Sequence, residues 1–225
     1  MKKLNMEDKL IGFLGCDKYE IILYLSRILY HLGKKVLLVD FAETEALYQS
    51  ISIPDTLREE NDYIHYSGID FIQGKYYERY KKEAYDYILI DFGYNAENLL
   101  LAQCEKVMFV TDLQLHNLKR MKHISYNGDG ERFLIIKDVF PCKIKPEFIQ
   151  EQLRCLMIEE QHVYILYQDP IDMKYRIQSQ YDHKFSFPKL SKPTKFFLQD
   201  LILRITENLS QKQLKYAYRK AERGQ

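Results

Sequence analysis

No run of this sequence is apolar for long enough to span a bilayer, which argues against a membrane-spanning helix. Net charge is nearly absent too: 33 Lys and Arg against 32 Asp and Glu leave +1 over 225 residues. There is then no global attraction to nucleic acid or to an anionic membrane, and any such affinity has to be local. The four cysteines (Cys16, Cys104, Cys142 and Cys155) never fall at a CxxC spacing and mostly sit beside apolar residues. That points to reduced thiols in a cytoplasmic protein. GxSxG, HExxH and Cys/His nucleophile patterns are all missing. Glycine is scarce, nine against nineteen tyrosines, a bias with no functional reading. The opening MKKLNMEDKL puts acids where a signal peptide needs an apolar core, so a cytoplasmic location is expected.

What is present reads as a globular domain, with 46% apolar and 29% charged residues. One domain over residues 1–209 is expected, followed by a basic, polar tail over 210–225. Short apolar runs recur along the chain: KLIGFL (9–14), KKVLLVD (34–40), YDYILID (85–91), EKVMFVTD (105–112), RFLIIKD (132–138) and HVYILYQD (162–169). Each has the form of a strand buried on both faces. Between them lie helical patterns. Ile21, Ile22, Leu25, Ile28, Leu29 and Leu32 mark one helix face, which Gly33 ends; further patterns cover 95–103, 113–124, 145–157 and 193–209. Alternating strands and helices predict an α/β fold: a doubly wound, mostly parallel sheet of about seven strands flanked by helices. Ligands of such sheets sit at the carboxyl ends of the strands, and Asp40, Asp91 and the loop after Leu14 all fall at that edge.

That loop, GFLGCDKY, has the outline of a phosphate-binding loop, G-x-x-x-x-G-K-[ST]. Gly12 matches its first glycine and Lys18 its lysine, with Asp17 in place of the second glycine and Tyr19 in place of the hydroxyl residue. A glycine and a lysine six apart are common by chance, so the motif gains weight only from the downstream segments GKKVLLVD and YDYILIDFG. With that order of segments the chain resembles the MinD/ParA-like P-loop ATPases, whose loop reads KGGVGKTT. Counted back from Gly33, Phe13 stands at the first lysine of that loop, Gly15 at a central glycine and Glu20 at the second threonine. Asp40 matches the acid after the second strand, Asp91 the Walker B acid, and ILYQDPIDMKYRIQSQ the late I-P-x-D-P segment with its helix. The likeness runs from Lys9 to Ile205 in family order.

The resemblance implies a P-loop NTPase fold with a degenerate site. Gly12, Gly15 and Lys18 remain as nucleotide-binding candidates, but Asp17 brings a carboxylate towards the phosphates. Two like charges ~4 Å apart repel by about 4 kcal/mol at an effective dielectric near 20. Tyr19 is out of register for Mg²⁺, and Phe13 removes the lysine that reaches a partner subunit's nucleotide. Lys137, where the family often reads adenine with an asparagine, offers donors but no acceptor. No cofactor and no catalytic residue are therefore expected, and Lys18 is expected as a solvated residue at a helix start. Asp40 and Asp91 read equally as structural caps or metal ligands. A reactive thiol at Cys16 is opposed by Asp17 and Glu20.

The leading reading is a catalytically inactive pseudo-ATPase acting as a protein-interaction or positioning module. Pilus-localising, TadZ- or CpaE-like members also show altered loops, which suggests a pilus or secretion apparatus as the partner. A homodimer across the loop face is expected if Phe13 and Tyr19 are both exposed; the alternative puts Phe13 inside the first strand. Two other readings stay open. One is an active ATPase with ATP and Mg²⁺ held by Lys18, Asp40 and Asp91. The other is a nucleic-acid or membrane-surface binder acting through the basic tail, QKQLKYAYRKAERGQ, whose small apolar area permits at most peripheral attachment and no specific nucleic-acid readout. The bland expectation for that tail is a frayed, solvated end. YYERYKK (76–82) and KYAYRK (215–220) interleave aromatics with bases but read first as solvated helix faces. His116 and His123 share a predicted helix face without a third metal ligand.

Overall fold

The computed structural model describes residues 9–51, 53, 54, 56, 58, 62–80, 85–181, 187 and 189–224. The opening MKKLNMED and the two lysines that end YYERYKK lie outside them. The strands are β1 (Lys9–Gly15), β2 (Val36–Asp40), β3 (Tyr63–Tyr66), β4 (Ile69–Gln73), β5 (Tyr87–Asp91), β6 (Lys106–Thr111), β7 (Glu131–Val139) and β8 (Val163–Tyr167). They form one eight-stranded sheet in the order β3-β4-β2-β5-β1-β6-β7-β8. Every neighbouring pair is parallel except β3 and β4. The sheet is thus the expected doubly wound one, with an added antiparallel edge.

That edge is a hairpin absent from the strands expected from sequence. Ser67 and Gly68, at φ 53° and 78°, form its two-residue turn. Positive φ at both positions is what matches a hairpin turn to the twist of its strands. Ile69, Phe71 and Ile72 belong to no long apolar run, so the stretch lacks the signature of a central strand.

The helices are α1 (Tyr19–His31), α2 (Ala46–Gln49), α3 (Tyr77–Tyr80), α4 (Leu115–Lys122), α5 (Pro146–Gln152), α6 (Pro170–Gln178), α7 (Lys192–Ile205) and α8 (Gln211–Arg223). Two predicted helices shrink. The 95–103 pattern becomes a five-residue 3-10 turn, Leu99–Gln103, started by the Asn98 side chain accepting from the Leu100 N–H. The 145–157 pattern breaks after Gln152, and Met157 sits in the left-handed region at φ 50°.

Alternate residues of each central strand feed separate cores. Ile11, Phe13, Leu38, Leu89, Met108, Val110, Phe133 and Ile135 pack with α1, α7 and α8. Leu14, Leu37, Val39, Ile88, Ile90, Phe109 and Ile136 pack on the other face with α4 and α5. Arg27 of α1 is buried where its guanidinium donates to the Ser67 carbonyl in the hairpin turn, and α1 is covered on its outward side as well. The cover is α8, and this overturns the expectation of a frayed tail. Leu214, Ala217, Tyr218 and Ala221 are all buried against the domain, and Tyr218 meets Phe187 edge-on at 5.8 Å. A capping box between Ser210 and Gln213 starts the helix, and Gly224 at φ 69° ends it.

Candidate functional site

The topology reverses at β1: β2, β4 and β5 lie to one side of it, β6, β7 and β8 to the other. The loop from β1 into α1 therefore emerges at a switch point, where open α/β sheets place ligands. Asp40 and Asp91 are register partners at the carboxyl ends of β2 and β5, as the alignment requires. An open cleft of about 490 Å³ lies over this edge; Gly15, Asp17, Lys18 and Asp91 line its floor, and Tyr94, Asn117 and Arg120 line one side. That side is built tightly. The Tyr94 hydroxyl donates to Asn117 Oδ1 at 2.7 Å, and Asn117 Nδ2 donates to Asp112 at 3.0 Å. The Arg120 guanidinium sits 3.7 Å from the Tyr94 ring centroid.

Lys18 is not a solvated residue. It is 1% exposed, and its ammonium lies 2.6 Å from Asp91 Oδ1. It also donates to the carbonyls of Gly15 at 3.2 Å and Cys16 at 3.4 Å. A lysine has three N–H donors, so all three have acceptors inside the protein. Asp91 in turn accepts from the Gly93 N–H at 2.8 Å. Asp40 accepts from the Ala42 N–H through one oxygen and from the Tyr48 N–H through the other, both at 2.9 Å. Burial pushes its pKa up to about 6, the nearby Asp91 charge adds to this, and the two N–H bonds oppose it.

Of the loop glycines, Gly12 lies inside β1, paired with Ile90 and Val107, and does not reach the cleft. A Cβ on it would meet the Phe92 ring at 3.0 Å and Cys104 Sγ at 3.1 Å, so it is a packing glycine. Gly15 is at φ +116°, and a Cβ there would lie 1.8 Å from the Val110 carbonyl oxygen. Two loop N–H groups are used internally, Gly15 to the Gly93 carbonyl at 2.6 Å and Cys16 to the Val110 carbonyl at 3.0 Å. Burial raises the Cys16 thiol to about 12, which keeps it protonated.

Phe13 is wholly buried in β1, so the condition for an apolar Phe13–Tyr19 surface is not met. Tyr19 is partly buried, and its hydroxyl accepts from Gln180 on the far side of the loop. Asp17 is exposed, while its carbonyl accepts from Lys137 Nζ at 3.0 Å. Glu20 is buried and ion-paired with Lys137. Arg176 lies 3.5 Å from Glu20 and 2.8 Å from Asp138. Burial alone would lower the Lys137 pKa, but the Glu20 and Asp138 carboxylates outweigh it and raise it. Sequence reasoning does not single out Arg176 or Asp138. Only folding brings β7, α6 and α1 together, and no spacing rule links positions 20, 138 and 176. His116 and His123 are both exposed, and His123 lies just past the end of α4. Among the described residues no group of three or more His, Cys, Asp or Glu is placed to hold a metal ion, and no helix is long and apolar enough to cross a membrane.

An open, doubly wound sheet with a strand–loop–helix at its switch point is a ligand-binding class of α/β fold, and solved structures of ParA/MinD-type ATPases share it. The chain matches a ParA family ATPase from Chlorobium tepidum over 96% of its own length and 98% of that chain, with a TM-score of 0.54 and 15% identity. It matches the MinC:MinD cell division complex of Aquifex aeolicus over 90% and 99%, at 0.59 and 16%. An ATP complex of Cyanothece McdA matches over 90% and 99%, at 0.53 and 9%. No family model matches the sequence, and no curated protein does. The fold is that of the ParA/MinD ATPases.

Proposed function

We propose that this chain is a degenerate MinD/ParA-type protein that no longer works as an ATPase and acts as a protein-interaction or positioning module. One observation carries the reading: the buried Lys18–Asp91 ion pair, in which every donor of the phosphate-loop lysine is bonded to the protein itself. Other groups at the site agree with it. The Tyr19 hydroxyl is held by Gln180, both Asp40 oxygens accept backbone N–H groups, and two loop N–H groups are bonded within the loop's own surroundings. Binding a nucleotide here means breaking these bonds before any are made to phosphate, and it brings the exposed Asp17 carboxylate close to the phosphates. Calorimetric titration with Mg-ATP tests this. We expect a dissociation constant above ~1 mM, equivalent to less than about 4 kcal/mol. Micromolar binding, with turnover lost in Lys18→Ala, would establish an active Mg-ATPase using Lys18, Asp40 and Asp91 instead.

The partner fitting this reading is a protein, in a pilus or secretion apparatus by analogy with TadZ- and CpaE-like members, in the cytoplasm. A homodimer in this reading forms without Phe13, which is buried. Its first candidate surface is the exposed side of α6, with Ile171, Ile177 and the neighbouring Tyr181.

A second reading is favoured by α8. Lys212, Lys215, Arg219, Lys220 and Arg223 lie on the side of this helix away from the core, and none makes an ion pair among the described residues. Such a stripe attracts a polyanion through phosphate or carboxylate charge, without base readout. Insertion of α8 into a bilayer would require undocking its apolar face from α1. Lys215→Glu with Arg219→Glu should abolish retention on heparin at low salt if the stripe binds polyanions; unchanged retention rejects this second reading.

A further inference from the structure

A second cavity lies behind the phosphate loop, between α1, β8, α6 and α7, and it belongs to neither reading above. Its apolar wall comprises Ile21, Leu166, Met173, Phe197 and Leu198. Its volume is about 60 Å³, room for about five water-sized atoms. Glu20 lines it with a side chain 10% exposed, and Glu20 Oε2 is buried without a hydrogen-bond partner. Buried acceptors are nearly always satisfied, so an unmatched carboxylate oxygen at a cavity wall calls for a donor.

The charges around the cavity indicate what kind of donor. Two cations line it, Lys137 and Arg176, together with four carboxylates, Glu20, Asp138, Asp169 and Asp172. Lys137 is held by Glu20 Oε1 and the Asp17 carbonyl. Arg176 donates to both Asp138 oxygens, at 2.8 and 3.1 Å. Asp169 caps α6 by accepting from the Ile171 N–H at 2.7 Å. Asp172 accepts from the Ser191 N–H, the Ser191 hydroxyl and the Thr194 hydroxyl, each at 2.6 Å. These bonds hold Asp169 and Asp172 in place but bring no positive charge, so the lining carries two more carboxylates than cations. Asp138, Asp169 and Asp172 are part-exposed, so solvent screens part of that excess, but a water at Glu20 Oε2 would still leave the hydrocarbon wall unmatched.

We propose that this cavity is a binding site for a short alkylammonium ion, its N–H group donating to Glu20 Oε2 and its carbon chain lying against Met173, Phe197 and Leu198. The site is independent of whether nucleotide binds at the cleft. The test is calorimetric titration of the full chain with n-butylammonium chloride, against sodium chloride at equal ionic strength and against 1-butanol, which has the same chain length and no charge. Saturable one-to-one binding of n-butylammonium is expected, at least tenfold tighter than 1-butanol. It should be lost in Met173→Trp, whose indole fills the cavity, and weakened at least tenfold in Glu20→Gln, with circular dichroism checking that each variant folds. If Glu20→Gln does not fold, Met173→Trp decides. No saturable binding, which is the result for a cavity holding water only, overturns the proposal. So does equal affinity for 1-butanol, or binding that survives Met173→Trp.

Discussion

Lys18 is the residue on which the site turns, because the same side chain has opposite uses in an ATPase and in a locked loop. In the structure it neutralises Asp91 at 2.6 Å, and both side chains are almost fully buried. Removing one member of a buried pair leaves the other charge unsolvated, which costs about 3–5 kcal/mol. Lys18→Ala is therefore expected to lower unfolding free energy in urea by that amount, and adding Asp91→Asn to it should restore part of the loss. A Lys18→Ala protein as stable as wild type would show that the pair does not hold the loop. Asp40 gives a pH signature. Its folded value, about 6, lies above its ordinary 3.8, so the native state binds this proton more tightly than the unfolded chain does. The associated stability is complete below about pH 4 and is lost as pH rises through 6, about 3 kcal/mol in all. Asp40→Asn removes the titration and leaves an amide N–H₂ facing the Tyr48 N–H. The variant should be less stable than wild type at pH 4, with a gap that narrows by pH 7.

At the scale of elements, α8 is part of the domain rather than an appendage. Leu214 is fully buried, and truncating a buried leucine to alanine costs about 2–5 kcal/mol depending on how far the site collapses. Leu214→Ala should lower the thermal midpoint clearly, whereas Lys215→Glu on the outer face should change it little. Deleting residues 211–225 would expose the outward face of α1, so loss of any binding in that truncation would report unfolding as much as a lost surface. The charge-reversal pair keeps the helix docked and is the cleaner test. Equal midpoints for Leu214→Ala and wild type would show that the helix is not held where the structure places it.

For the whole molecule, the nucleotide titration carries the largest consequence. A ParA/MinD-type fold without measurable Mg-ATP binding would have an oligomeric state insensitive to nucleotide. Sedimentation velocity with and without 1 mM Mg-ATP should give the same distribution, and a shift to a larger species with Mg-ATP would reject the inactive reading. The four-residue network of Glu20, Lys137, Arg176 and Asp138 ties the start of α1 to β7 and α6 through side chains of the protein itself, which agrees with that expectation.

The alternating short strands and helices determined the fold class from sequence, and the acids ending two of those strands located the carboxyl edge. A parallel sheet buried on both faces writes itself as continuous apolar runs, and those runs are local. Phe13, Lys18 and the tail were decided only by tertiary structure. A fully apolar strand has no polar side to show which face Phe13 takes. A lysine at a helix start reads as solvated until a partner 73 positions away in the chain is seen to meet it. The tail reads from sequence as a frayed, solvated end, yet Leu214, Ala217, Tyr218 and Ala221 dock on the domain. They do so because α1 offers a second face beyond the one it turns to the sheet. Periodicity reports which side of an element is apolar, and only long-range packing decides what covers it.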